Sequence, residues 1–256
     1  MHKRGQITTF IVAGIIVLVM VAMTLYLRRQ LQPLKVEAPP DVAPVQRFVE
    51  GCLHTVGEEG ILKNSLQGGY YKNFDQQALS LPGMIYVPVY FNGVFLSVPT
   101  EEKIRKELGN YVADNLNSCI GDFKSLQGFS IVEEGNLSIT NMILSENKVS
   151  VEYDYPLKIN NKTELRKFLA EYDFRLGKIY NTVKQLLSES VSMPTFICLS
   201  CIVDAGIEND LTFETIEWGE YVIVVVKDAT TKKPLNFAYA IKLMPREGVP
   251  PIPAAT

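Results

Sequence analysis

The clearest pattern of hydrophobic and polar positions is an uncharged apolar run of 21 residues, from Ile7 to Leu27. As a helix this run would extend about 31 Å, which matches a bilayer hydrocarbon core of about 30 Å. Arg28 and Arg29 follow it directly. The pattern therefore predicts a single transmembrane helix, in an anchor that covers residues 1–31.

Two alternatives exist for this run. A buried core helix is disfavoured because core helices of this length usually keep a polar face. A cleaved secretory signal is disfavoured because its apolar part is usually about 7–15 residues long and a small-x-small cleavage site follows it. We therefore expect an uncleaved signal anchor with the lipid bilayer as a partner. The basic tail ahead of the run, the cysteines and the sequons favour a location in the cell membrane with the C-terminal domain extracytoplasmic.

Three further apolar stripes with helical spacing follow a proline-rich stalk at residues 32–44. They predict amphipathic helices over residues 42–62, 100–120 and 162–191. The last of these could be a core helix packed on a sheet, or a dimerising coiled coil.

Alternating apolar positions predict the strands. An Asn92-Gly93 turn within residues 84–98 is typical of a β-hairpin. Further strands are expected at residues 129–132, 137–144, 148–158, 211–217, 221–227 and 236–243. The pattern predicts an α+β extracytoplasmic domain over residues 45–247, built from antiparallel hairpins and three amphipathic helices, with an alternative sub-boundary near residue 125. Residues 248–256 are proline-rich, and we expect a disordered tail.

Composition narrows the range of functions. The net charge is −3, which argues against a nucleic-acid partner because such proteins usually carry a basic face. The two histidines, His2 and His54, leave little material for a histidine-based metal site or a Ser-His-Asp triad. We therefore expect no metal, no cofactor and no catalytic residues.

The four cysteines are the main candidates for covalent chemistry. Cys52 and Cys119 lie on the apolar stripes of two predicted helices, so they could form a disulfide or remain reduced. Cys198 and Cys201 form a CxxC motif, for which a local structural disulfide, a reduced pair and a thiol-disulfide redox site are the three interpretations. Redox CxxC pairs usually open a helix, whose dipole lowers the pKa of the thiol. The surrounding sequence shows no βαβ pattern, so we favour the structural disulfide.

Two N-glycosylation sequons begin at Asn136 and Asn161. Both fall at predicted strand or loop ends, where an acceptor would be accessible. They add mild support for an extracytoplasmic location.

The N-terminal sequence Lys3-Arg4-Gly5-Gln6-Ile7-Thr8 resembles the class III signal of archaeal type IV pilin-like proteins. The resemblance implies processing by a prepilin peptidase between Gly5 and Gln6. Phe10 stands where pilins usually carry Glu.

Most of the predicted extracytoplasmic domain resembles a group of archaeal single-pass membrane proteins, and this resemblance implies no particular activity. The similarity rests on Phe48-Val-Glu-Gly-Cys52-Leu, Gln67-Gly-Gly-Tyr70, Leu116-Asn-Ser-Cys119, Arg175-Leu-Gly-Lys-Ile-Tyr180 and Ile197-Cys-Leu-Ser-Cys201. It implies that the cysteine pairs and the Gly-Gly are structural landmarks.

The leading hypothesis from sequence is a membrane-anchored extracytoplasmic structural or binding module of an archaeal cell surface, without catalysis. Its partners would be other cell-surface proteins or a second copy of itself. The alternatives are a pilin-like filament subunit processed between Gly5 and Gln6, and a thiol-disulfide oxidoreductase that uses Cys198 and Cys201.

Overall fold

A computed structural model describes residues 14–23, 39–192 and 195–244. The chain divides into two units, Met1–Glu37 and Ala38–Thr256. Residue 125, where the sequence suggested a sub-boundary, lies inside the second unit. The described residues form five α-helices, one short 3₁₀-helix and two β-sheets, an α+β fold.

The first unit contains helix α1, residues 14–23. Across residues 14–23, 39–192 and 195–244, no helix has both the length and the apolar character that a membrane crossing requires. This finding contradicts the predicted transmembrane helix and the single-pass, extracytoplasmic location derived from it. Residues 7–13 and 24–27 of that prediction, and residues 32–38 of the predicted stalk, lie outside the described residues.

The described part of the second unit begins with helix α2 and has four α-helices and a 3₁₀-helix, Gly121–Phe123. The α-helices are α2 (Ala43–Leu66), α3 (Glu101–Ile120), α4 (Leu176–Ser192) and α5 (Leu199–Asn209). Helices α2 and α3 lie at the positions of the first two predicted helices, so those two predictions are confirmed. Thr100 caps α3 by accepting a hydrogen bond from the Lys103 N–H, and Gly121 ends it in the left-handed conformation.

One sheet has five strands in the order β1-β2-β9-β8-β7. The strands are β1 (Ala78–Leu81), β2 (Ile85–Phe91), β7 (Thr212–Trp218), β8 (Tyr221–Asp228) and β9 (Leu235–Lys242). Every neighbouring pair is antiparallel except β2 and β9, which are parallel. The predicted Asn92-Gly93 hairpin is reduced to one bridge, Phe91 to Leu96, because β2 pairs with β1 and β9 instead.

The other sheet has four strands, with β5 at its centre. They are β3 (Ile131–Glu133), β4 (Ser138–Leu144), β5 (Val149–Ile159) and β6 (Thr163–Tyr172). Strand β5 pairs antiparallel with each of the other three.

The predicted helix over residues 162–191 is wrong, because its first half is strand β6 and only its second half is helix α4. The turn before β6 contains Asn160 and Asn161, both with positive φ. A register shift in β5 lies opposite β6, where the buried positions Leu165 and Phe168 are three residues apart. That spacing is also typical of a helix, but here the two side chains belong to a strand and pack into the main core. The predicted fold class is thus wrong in its membrane span and in its third helix, and the parallel pairing of β2 with β9 was not predicted.

Helix α2 supplies the centre of the main core. It contacts both β6 and β9, so one helix lies against both sheets. Gly57 permits the close approach of β6, since a Cβ there would lie 2.0 Å from the Tyr172 hydroxyl. The Tyr172 hydroxyl donates to the Leu53 carbonyl and is hydrogen-bonded to the Tyr153 hydroxyl at 2.7 Å. These hydrogen bonds join α2 to the four-stranded sheet, and the contact of α2 with β9 joins it to the five-stranded sheet.

Candidate functional site at the start of helix α5

The CxxC motif lies at the N-terminus of α5. Cys198 is the N-cap residue, and its Sγ accepts a hydrogen bond from the Cys201 N–H at 3.2 Å. The two residues are joined by a disulfide, with their Cα atoms 5.2 Å apart. Both side chains are half-buried. The site is therefore reachable from solvent at the end of a helix.

The start of a helix favours a negative sulfur atom. The first N–H groups of a helix have no partner within it, and the helix dipole places a partial positive charge there. When the disulfide is reduced, the same Cys201 N–H can stabilise Cys198 as a thiolate. The thiolate is the form that attacks disulfides and that leaves readily from a mixed disulfide.

A small cavity lies behind the disulfide. Its volume is about 20 Å³, and its lining is mostly apolar, from α4, α5, β8 and β9. This volume holds about one water molecule and leaves no room for a cofactor. Burial raises the pKa of Tyr239, which lines the cavity, so its phenol stays neutral. A reaction partner must therefore approach the disulfide from the solvent side.

An ion pair fixes the other end of α5. The Arg175 guanidinium binds the Asp228 carboxylate through two hydrogen bonds, of 2.8 and 2.9 Å. It also donates to the carbonyls of Asn209 and Asp210, at the C-terminus of α5, at 3.1 and 3.0 Å. The Arg175 guanidinium therefore holds together the start of α4, the end of α5 and the end of β8.

This ion pair is almost fully removed from water. The Asp228 side chain is 0% exposed and that of Arg175 is 10% exposed. Burial by itself would raise the pKa of Asp228, but hydrogen bonds from Arg175 and Thr230 outweigh it and hold the pKa below its usual value. Asp228 is therefore an anion at neutral pH, and its negative charge balances the positive charge of the buried Arg175 guanidinium.

The structure also brings Cys52 and Cys119 together. They form a disulfide between α2 and α3, with their Cα atoms 5.6 Å apart. Cys52 is buried, whereas Cys119 is exposed at the end of α3. This pair connects two core helices and has no helix N-terminus beside it, so it provides an internal comparison for the CxxC pair.

The other predicted sites do not converge on the CxxC motif. Asn136 is exposed in the loop between β3 and β4, and Asn161 is exposed in the turn before β6. Gly5 and Gln6 lie outside the described residues, so processing between them stays a prediction. Glycosylation stays a prediction as well.

The sequence pattern predicted neither helix α5 nor the Arg175–Asp228 ion pair that holds its C-terminus. The apolar side chains of α5 that recur at helical spacing, Leu199, Val203 and Ile207, are exposed. Ala205 is the one buried residue of this helix. Arg175 and Asp228 are 53 positions apart in the chain and have no local signal that would pair them. Within the described ranges, no group of three or more His, Cys, Asp or Glu side chains could hold a metal ion.

No protein-family model matches the chain, and no curated protein or solved structure matches it significantly.

Proposed function

We propose that this protein is a thiol-disulfide oxidoreductase whose redox pair is Cys198 and Cys201. The observation that carries the proposal is the position of Cys198 as the N-cap of α5, where its Sγ accepts the Cys201 N–H. A helix N-terminus and CxxC spacing are two of the features that lower the pKa of a cysteine thiol and so favour its reactive thiolate. The sequence alone led us to expect a module without catalysis, because it did not predict that a helix begins at the CxxC motif.

The proposed reaction transfers two electrons from a dithiol to the Cys198–Cys201 disulfide. A donor thiolate attacks Cys198 Sγ, the Cys198–Cys201 bond breaks, and Cys201 leaves as a thiolate that takes up a proton. The second donor thiol then loses its proton and attacks the donor sulfur of the mixed disulfide. Cys198 leaves as a thiolate, and the donor becomes a disulfide. A small-molecule disulfide such as glutathione disulfide would reoxidise the pair by the same exchange in reverse.

The test is the oxidation of a synthetic dithiol peptide by glutathione disulfide, with the full-length chain as catalyst. The wild type is expected to accelerate the reaction, and Cys198→Ser/Cys201→Ser is expected to give the uncatalysed rate. Cys52→Ser/Cys119→Ser is the matched control, which removes a disulfide without touching α5 and should retain the activity per folded molecule. Equal rates for the wild type and Cys198→Ser/Cys201→Ser would refute the proposal.

A second candidate is a binding module without catalysis, supported by a separate cleft. The cleft is about 610 Å³ in volume and lies between the end of α3 and the segment from β3 to β4. Its polar lining includes Asn117, Asp122, Glu133, Asn136 and Tyr155. Carboxylates and amides can exchange hydrogen bonds with a polar ligand such as a saccharide. Titration with a panel of oligosaccharides, read by thermal unfolding, should raise the Tm of the wild type more than that of Glu133→Gln. The absence of any shift would refute this candidate.

A further inference from the structure

Strand β7 forms an open edge of the five-stranded sheet. Among the described strands it pairs with β8 alone. The two strands are joined by a two-residue turn, so Trp218 and Tyr221 close the hairpin as a hydrogen-bonded pair. Such pairs alternate along the ladder, and the N–H and C=O groups of Phe213, Thr215 and Glu217 therefore point away from β8. Within the described residues, no hydrogen bond reaches these outward groups.

The other edges of the two sheets are protected, whereas β7 is not. Strands β1 and β3 have only four and three residues. Strand β4 contains a bulge and its Ile139 carbonyl accepts a hydrogen bond from α3, and β6 carries Arg166 and Lys167. Strand β7 has seven residues in regular register, with no lysine, arginine, proline or glycine, and its Glu214 is paired with Lys227. Such an edge is a template for one more strand.

Two large apolar side chains lie beside the open edge. Ile216 and Trp218 are 46% and 42% exposed. Their partners on β8, Ile223 and Tyr221, lie in the smaller apolar cluster on this face of the sheet. The apolar face therefore extends to β7 and is not finished there by polar side chains. A further strand beside β7 would continue this face and cover both side chains.

The sequence of β7 fits an antiparallel copy of itself. With Thr215 on a twofold axis, Phe213 faces Glu217 of the second copy. Ile216 then faces Glu214 of the second copy, and the two Ile216 side chains are diagonal neighbours. Three outward N–H groups from each copy give six backbone hydrogen bonds. The two Glu217 residues are four positions apart along the strands, about 14 Å, so their repulsion is screened by salt.

From these observations we infer that the chain forms a twofold dimer through β7, in which two five-stranded sheets join into one continuous sheet. The partner is a second copy because the edge is complementary to itself in hydrogen bonding, in apolar contact and in charge. Seven residues make a small interface, so the dimer dissociates on dilution. The inference goes beyond the proposed redox function and does not depend on it.

The experiment measures the mass of the full-length chain by sedimentation over a wide range of concentration. The fluorescence of Trp218, the only tryptophan in the sequence, is recorded in the same samples. Thr215→Pro removes the outward N–H at the axis and leaves the ladder with β8 intact. Thr215→Lys and Thr215→Glu each place like charges opposite each other. Thr140→Lys is the control, because Thr140 is also an exposed threonine on an edge strand, β4 of the other sheet.

The inference predicts that the wild type and Thr140→Lys reach the mass of a dimer as the concentration rises. The emission of Trp218 should shift to shorter wavelength at the same time, because its ring leaves water. Thr215→Pro, Thr215→Lys and Thr215→Glu should each remain monomeric. An equimolar mixture of Thr215→Lys and Thr215→Glu should recover the dimer, since opposite charges then face each other at the axis.

Three outcomes would overturn the inference. A wild type that is monomeric at every concentration leaves the edge to a strand of another protein. A dimer that persists in Thr215→Pro and Thr215→Lys is formed by another surface. If the wild type dimerises and the mixture of Thr215→Lys with Thr215→Glu does not, the two β7 strands do not meet at Thr215. Far-UV circular dichroism verifies that each variant is folded, and the lysine and glutamate variants keep the test decisive if the proline prevents folding.

Discussion

Replacing Asp228 by Asn tests whether burial makes the Arg175–Asp228 pair essential. The substitution keeps the side-chain shape but leaves the Arg175 guanidinium without a counter-charge in a site with almost no water. Breaking a buried pair in this way costs about 3–5 kcal/mol, a large part of a typical stability of about 5–15 kcal/mol. With a urea m-value of about 2–3 kcal/mol/M, the unfolding midpoint should fall by about 1–2.5 M.

The chain supplies a matched control. Arg166 and Asp154 form a pair with the same two-point geometry, at 2.6 and 3.1 Å, but their side chains are 58% and 23% exposed. Asp154→Asn should therefore cost only about 0–1 kcal/mol. Both variants are measured by urea unfolding of the full-length chain, followed by far-UV circular dichroism. Equal losses in the two variants would refute the reasoning that burial decides the cost.

The same pair sets a pH dependence. The pKa of Asp228 is lower in the folded chain than its ordinary value of about 3.9, so its stabilisation is present above about pH 4. That stabilisation is lost as the pH falls through the lower pKa of the folded state. The difference in stability between the wild type and Asp228→Asn should therefore be largest at neutral pH and should shrink in acid. A difference that grows on acidification would contradict the sign.

Two further predictions concern the core and the disulfide between Cys52 and Cys119. Gly57→Ala should destabilise by about 1–3 kcal/mol, because its Cβ would overlap the Tyr172 hydroxyl, whereas Gly51→Ala on the same helix has open space and should stabilise by up to about 1 kcal/mol. Urea unfolding gives both values, and a neutral Gly57→Ala would contradict the packing. Loss of the disulfide in Cys52→Ser/Cys119→Ser, which spans 67 residues, should cost about 4 kcal/mol by loop entropy, and a change below about 1 kcal/mol would contradict it.

The elements that sequence predicts well are those with a strong local signal. Helix α3 has an N-cap at Thr100, acidic residues in its first turn and a glycine after its end, so its bounds follow from capping alone. Strands β7, β8 and β9 alternate clearly and are separated by turn residues, and each lies within a few residues of its predicted position.

The errors arise where a distant partner decides the structure. Strand β6 carries apolar spacing that also fits a helix, and only its pairing with β5 makes it a strand. The parallel pairing of β2 with β9 joins residues that are about 150 positions apart and has no local signature. The candidate site follows the same rule. The CxxC motif is visible in the sequence, but helix α5, which begins there, and the Arg175–Asp228 ion pair, which holds the end of α5, depend on distant contacts.

The most direct test of the central claim is a glutathione redox titration of the folded chain. Samples equilibrated at graded ratios of reduced to oxidised glutathione are alkylated, digested and analysed by mass spectrometry, which reports Cys198–Cys201 and Cys52–Cys119 separately. Circular dichroism verifies that the chain stays folded. The account predicts that Cys198–Cys201 opens and closes reversibly within this range while Cys52–Cys119 stays oxidised. If Cys198–Cys201 stays oxidised at every ratio at which the chain is folded, it is a structural disulfide and the proposed function is wrong.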